Sequence, residues 1–543
     1  MVGDPETKQL LSGSVDDPNA GGGSADLVSH ATPNVTGSKE PTEVAPDSGG
    51  DSGKGAETPW TGGDDIVRTK GMNWMLTGLF VVGDMAGGGL VALPTALVRM
   101  GFIVGMANSF LMIGVTLMTA CMLGFSWTVM LQHWPEYRAH CRAPYPEMAY
   151  RAFGKYAKYG VSLCINLTQF GVAVVFVLLT AKNIQDFAGL VLKLNIHFCF
   201  VVLFLGGLLW PVIMLKSPQD FWGAIVFSMF STFAACILLI VGSGLDYKAC
   251  IAHVEQPKLT AHNMFTALGT YLFSYGGHSS FPTIQHDMKR PKNFWKSCVM
   301  AFTIMFILYI PVCALGYFVY GDSVRESVIN NIQHSGLQIA VNFMIMTHCF
   351  LTLAIVFNPL NQDVEQYFNV PQNFGWKRCV VRTIVLGLVI FVAESIPAFD
   401  SVLDLVGGST LCLTSIVFPV LFYTKLSALQ RRNKALPLIA NSKDGDKITN
   451  RDAFHHTPYW LLAITGITVL FGCVIGCAAT YSAIYNMARS RFMLPCYVIP
   501  FMNTDQKKVN AVLTTVCCGH YQNITSPAGA GKTCADPKMN FFG

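Results

Sequence analysis

Between Met72 and Met487 the chain carries eleven largely apolar runs, near 72–98, 102–130, 158–182, 196–215, 223–245, 263–286, 296–319, 336–360, 378–398, 401–424 and 458–487. Each is about 20 residues long, enough to cross the hydrocarbon core of a bilayer as a helix. Where no water reaches the backbone, only helices and closed barrels satisfy every N–H and C=O. The expected architecture is therefore an all-α integral membrane protein of about 11 transmembrane helices. Only 13% of the 543 residues are charged, against about 25% in a soluble domain, and the mean hydropathy is +0.43. The net charge of +5 needs no nucleic acid, because the cations gather in particular loops.

Those loops predict orientation. Arg138, Arg142, Arg151 and Lys155 follow the second run, Lys289, Arg290, Lys292 and Lys296 the sixth, and Lys377 and Arg378 the eighth. After the tenth come Lys425, Arg431, Arg432, Lys434, Lys443, Lys447 and Arg451. The opposite loops hold only Arg99, Lys182, Lys193, Lys248, Lys258 and Arg325. This is the positive-inside pattern with a cytosolic N-terminus. Residues 1–66, rich in Gly, Ser, Asp, Pro and Thr, cannot bury enough apolar surface to fold alone and show no signal-peptide pattern, so a disordered cytosolic tail is expected. Glu6, Leu10 and Leu11 there have the spacing of an acidic dileucine signal for a sorting adaptor. The membrane domain covers 67–487, and eleven spans place residues 488–543 outside or in a lumen. That tail holds Cys496, Cys517, Cys518 and Cys534, and Cys250 lies in a loop on the same side. An oxidising compartment lets such thiols form disulfides, but spacing does not choose the partners. The sequon Asn523-Ile-Thr525 would make the protein a glycoprotein.

Two of the runs are interrupted. The first contains Val81-Val-Gly-Asp84-Met-Ala-Gly87-Gly88-Gly89-Leu-Val-Ala-Leu-Pro94. Glycine costs roughly 1 kcal/mol per residue inside a helix, so three in succession predict an unwound segment. Irregular backbone at membrane depth is tolerated where it is buried in protein or lines a cavity, and a carboxylate there marks a functional site. The sixth run repeats the pattern at Phe273-Ser274-Tyr275-Gly276-Gly277-His278, with Pro282 in the turn that restarts it. Interrupted spans five apart point to inverted repeats, spans one to five and six to ten, around a midplane site. The half-helix restarting after Gly89 offers N–H groups and a positive dipole end to a carboxylate. The half-helix ending before Tyr275 offers carbonyls to an ammonium group. An α-amino acid carries both.

Enzyme signatures are absent from the pattern. Gly529-Ala-Gly531-Lys532-Thr533 lacks the earlier glycine of a phosphate-binding loop. His455-His456 has no metal-ligand spacing, and no nucleophile elbow is present. No enzyme activity, metal or organic cofactor is expected.

The motifs resemble those of the amino acid/auxin permease family over roughly residues 70–487. They are Gly87-Gly-Gly-Leu-Val-Ala-Leu-Pro94, Tyr145-Pro-Glu-Met-Ala-Tyr-Arg-Ala-Phe-Gly154, Phe273 to His278 with Pro282, Ile284, Met288 and Pro291, and Asn358-Pro359 with Glu365. The resemblance implies a LeuT-like fold and secondary transport of amino acids or their derivatives, driven by protons or sodium. It implies that Gly87, Gly88 and Gly89 hold the substrate carboxylate. Phe273, Ser274 and Tyr275 would face its amine, with Tyr275 and Gly277 shaping the pocket. Asp84 departs from the family, where many members are uncharged, and so becomes a candidate for substrate amine or coupling proton. A sodium site in such a fold would draw on first-span carbonyls and eighth-span hydroxyls, of which Thr347 and Thr352 are available. Asp84, His278 and His348 would serve a proton instead. Glu394, Asp400 and Asp404 are expected to be solvated or to line an access path. The competing function is an amino-acid sensor that binds without net transport. The expected host is the plasma membrane or an endosomal, lysosomal or vesicular membrane.

Overall fold

The computed structural model describes residues 60–61, 67–68, 71–139, 141–194, 196–214, 222–371, 373–436, 448–489, 495–498 and 515–518. Chain contacts separate Met1–Ala56 from Glu57–Gly543, and the first unit lies wholly outside the described residues. Glu6, Leu10, Leu11, Asn523 and Cys534 lie outside them too.

Eleven helical spans are present among the described residues. Span 1 is Trp74–Met85 plus Gly88–Met100, span 2 Phe102–His133, span 3 Lys155–Phe187, span 4 Phe198–Ile213 and span 5 Trp222–Cys250. Span 6 is Ala261–Ser274 plus Phe281–His286, span 7 Phe294–Leu315, span 8 Ser335–Tyr367, span 9 Trp376–Ser395, span 10 Phe399–Ala435 and span 11 Tyr459–Arg489. Seven are long and apolar enough by themselves to cross a membrane, and the bent span 1 makes an eighth. The others are spans 4, 6 and 9. Span 4 has 16 residues, span 6 is interrupted, and span 9 carries Lys377, Arg378, Arg382 and Glu394.

The packing has the symmetry that the two interrupted spans imply. Span 5 packs on spans 1, 7 and 8, while span 10 packs on spans 6, 2 and 3. Exchanging each span with the one five places away converts the first set into the second. The same exchange preserves the contacts of span 2 with 7, 3 with 8 and 4 with 9. Within the broken pair, the first half of span 1 meets the second half of span 6, and the second half of span 1 meets the first half of span 6. They therefore run antiparallel. Span 11 lies outside the repeat and packs on spans 6 and 10.

Span 10 departs from a simple helix through two π turns, Gly407–Leu411 and Leu413–Val417. The Tyr145-Pro-Glu motif meets one of them. It forms a short helix, Pro144–Phe153, whose buried Tyr145 hydroxyl donates to the Thr414 carbonyl at 2.5 Å. A π turn misaligns the ordinary helical ladder, and such bulges gather at functional sites.

Both sides of the bundle are fastened. On the side where span 1 begins, the Arg68 N–H donates to the Lys289 carbonyl at 2.9 Å, Met72 N–H to Asp287 at 3.0 Å and Lys289 N–H to Met72 at 2.8 Å. On the opposite side, Cys199 at the head of span 4 is bonded to Cys496, and Cys250 at the foot of span 5 to Cys518. Cys199, which lies inside the fourth apolar run, is thus a bridge residue. The tail also donates Cys496 N–H to the Glu394 carbonyl at 2.9 Å and Val516 N–H to Asn330 at 2.8 Å. Non-reducing peptide mapping is expected to recover Cys199 joined to Cys496. Quantitative alkylation of Cys199 in native membranes contradicts that pairing.

Candidate functional site

Span 1 stops at Met85, restarts at Gly88 and bends by 57°. The hinge is Gly87, with φ 133° and ψ −102°. A side chain is strained there, and glycine is not. The Ala86 N–H still reaches back to the Val82 carbonyl at 2.8 Å, but the restarting helix has no side-chain cap at Gly87. Its first N–H groups are the orphan donors of a helix N-terminus, at the positive end of its dipole. In span 6 the Tyr275 N–H returns to Tyr271 at 3.2 Å and the Gly276 N–H to Phe273 at 3.3 Å. Among the described residues no backbone N–H reaches the carbonyls of Ser274 and Tyr275.

The two breaks touch. A Cβ on Gly89 would lie 2.6 Å from Ser274 Cα, and one on Gly88 would lie 3.3 Å from the Phe273 ring. Orphan donors of one span and open acceptors of the other thus meet in one buried place. Tyr275 turns its ring to Tyr309 of span 7, centroids 5.7 Å apart, and the Tyr309 hydroxyl donates to the Met85 carbonyl at 3.4 Å. Gly277 lies against Asp84, whose Oδ2 is 3.1 Å from where a Gly277 Cβ would sit. Asp84 is buried beside Ser280, whose Oγ accepts from the Gln169 amide at 3.0 Å. This chain joins spans 1, 6 and 3 and leaves the carboxylate with neutral partners.

The ion-coupling candidates separate. Thr352 donates to the Gly83 carbonyl at 3.2 Å, so it stands at the first break. Thr347 instead donates to Phe343 on an exposed face. His278 is buried but faces span 2, with Nε2 at 3.1 Å from Thr119 Oγ1 and 3.0 Å from the Thr116 carbonyl. The turn at Gly276–Gly277 carries it away from the break in span 1. His348 goes the other way, with Nε2 hydrogen-bonded to the Ala86 carbonyl.

Asp404 corrects the expectation of a solvated acid. It is 4% exposed, pairs with Arg99 of span 1 at 3.2 Å and accepts from Thr270 of span 6 at 2.6 Å. Three spans are thereby locked beyond the site. Glu394 is also buried, beside the Cys199–Cys496 bridge. Arg99→Ala leaves the Asp404 carboxylate buried without its cation, a change worth about 3–5 kcal/mol. A marked fall in the thermal midpoint of the purified protein is expected, and an unchanged midpoint contradicts the pairing. A cavity of about 450 Å³ among Ile184, Phe227, Phe350 and Leu351 is apolar and is lined by none of the residues at the breaks.

Gln169, Ser280, Ser228 and Thr232 were missed by sequence reasoning. The one available signal was Ser228 and Thr232, four residues apart in an apolar run, which places both on one helix face.

The family described as "Transmembrane amino acid transporter protein" matches residues 70–437. Amino acid transporter AVT1J of Arabidopsis thaliana is 24% identical over 363 residues, covering 65% of this chain and 82% of that protein. Lysine histidine transporter-like 6 of Arabidopsis thaliana is 23% identical over 398 residues, covering 67% and 84%. For amino acid transporter AVT1D of the same plant, at 24% identity, the match spans 59% of the relative's length. Among solved structures, MhsT in complex with L-phenylalanine aligns with a TM-score of 0.47 and 14% identity, over 76% of this chain and 99% of that one. The resemblance read from the motifs holds: the chain belongs to the family of transmembrane amino acid transporter proteins.

Proposed function

We propose that this protein is a secondary active transporter that moves amino acids, or close derivatives, by alternating access, coupled to a gradient of protons or sodium. One observation carries the reading. The Gly87–Gly89 donors and the Ser274–Tyr275 carbonyls meet at two breaks in antiparallel spans. That juxtaposition fits both ends of an α-amino acid without a charged side chain on the carboxylate side. Asp84, one turn before the first break, would face the amine or a basic side group. The fastening at either end of the broken pair supplies two gates: residues 68–72 with 287–289 on one side, Arg99 with Asp404 and Thr270 on the other.

The first gate is placed on the cytosolic side, with the N-terminus. The loop cations support this, and so do two disulfides on the opposite side, since disulfides persist in oxidising compartments. Counterflow in proteoliposomes tests the reading. An amino acid loaded inside should accelerate entry of the labelled one, and no stimulation by any of the twenty overturns it.

A further inference from the structure

We propose that His348 carries the coupling proton, its imidazolium taking the place that a metal cation would occupy between spans 1, 5 and 8. The inference rests on the transport reading and names its ion. Unwinding at Ala86 and Gly87 leaves first-span carbonyls pointing at span 8. The Gly83 and Ala86 carbonyls, the Ser228 carbonyl and the hydroxyls of Ser228, Thr232 and Thr352 together form an all-oxygen nest. Hard cations choose such ligand sets. Here the nest is already filled by a fully buried imidazole, close enough that a Cβ on Gly87 would sit 2.9 Å from its Nε2.

The hydrogen bonds define both protonation states. Nε2 faces the Ala86 carbonyl, an acceptor only, so the neutral ring carries its proton on Nε2. Nδ1 then accepts from Ser228 Oγ at 2.9 Å or Thr232 Oγ1 at 2.5 Å. A proton binding the Nδ1 lone pair finds its own acceptor in the Ser228 carbonyl at 3.1 Å. The displaced hydroxyls have acceptors waiting: Ser228 Oγ reaches the His348 carbonyl and Thr232 Oγ1 the Ser228 carbonyl, each at 3.3 Å. The charged ring thus ties the Ala86 carbonyl at the substrate break to span 5 through two N–H donors. Loss of the proton releases the span 5 carbonyl. That is a link between proton occupancy and the shape of the break.

Among the described residues, the groups facing His348 from spans 1, 5 and 8 are carbonyls and hydroxyls, and Phe176 of span 3 closes the remaining side at Gly87. Asp84, the acid of span 1, is turned to Ser280, and Cys349, next along span 8, to Thr180 of span 3.

The test uses the full-length protein in sodium-free proteoliposomes. An inward proton gradient should drive accumulation of the labelled amino acid, with protons entering alongside it. In His348→Gln the ratio of gradient-driven uptake to counterflow should fall at least about tenfold, roughly 1.4 kcal/mol of lost coupling. Thr232→Val alters the Nδ1 environment alone and guards against a folding artefact. It should shift the pH midpoint of uptake by about half a unit, a modest change in hydrogen bonding. Uptake that needs sodium, or an unchanged coupling ratio in His348→Gln, overturns the assignment. Wild-type counterflow separates the two proposals. Counterflow with sodium dependence sinks only the role of His348, and its absence sinks transport itself.

Discussion

Gly89→Ala is expected to abolish uptake while Gly88→Ala retains a measurable rate. A methyl at Gly89 meets Ser274 backbone and Cβ at 2.6 Å, and a span cannot rotate that contact away. At Gly88 the nearest atom is the Phe273 ring at 3.3 Å, a side chain able to give by a few tenths of an ångström. Overpacking typically costs about 1–3 kcal/mol. Spent at the crossing of two substrate-binding breaks, that corresponds to a loss of roughly 100-fold in transport near the upper end. Initial uptake rates, normalised to monodisperse protein, measure the difference. Equal rates for both variants, or a milder effect at Gly89, contradict the contact between the breaks.

Asp84→Asn is the second large effect. The substitution keeps the shape of the side chain beside Ser280 but removes the negative charge. Truncating one member of a buried charged pair costs about 2–5 kcal/mol. A substrate amine paired with Asp84 should therefore lose at least about 30-fold in apparent affinity. Neutral side-chain substrates held only by the glycine donors should lose less. The comparison of a basic with a neutral amino acid in the same variant is the readout. Wild-type affinity for both removes Asp84 from the site.

The span positions were legible because apolar length is a local property, and helix ends fell within a few residues of the runs except where spans 3, 8 and 10 extend beyond the bilayer-length segment. Both breaks were legible for the same reason: glycine clusters weaken a helix wherever they occur. What stayed hidden depends on contacts across the chain. His348 is a candidate from its titrating ring alone, but its place against the Ala86 carbonyl, 262 residues away, depends on the fold. The hydrogen bonds of Ser228 to His348 and Thr352 span 120 and 124 residues, and the bridges from Cys199 and Cys250 close separations of 297 and 268 residues. Asp404 sits near the head of an apolar run, where solvent is the default partner. Its burial depends on Arg99, which the charge pattern alone counted as a loop residue. The bond that Tyr145 makes to the second π turn of span 10 likewise comes from another segment.

The most direct measurement is concentrative uptake: labelled amino acids, one at a time, offered to proteoliposomes holding the full-length protein under imposed proton and sodium gradients. A coupled transporter raises the internal concentration of one class of amino acid above the external one, and the excess collapses when the driving gradient is dissipated. Saturable binding with no accumulation under any gradient contradicts transport and makes the protein an amino-acid sensor in the membrane.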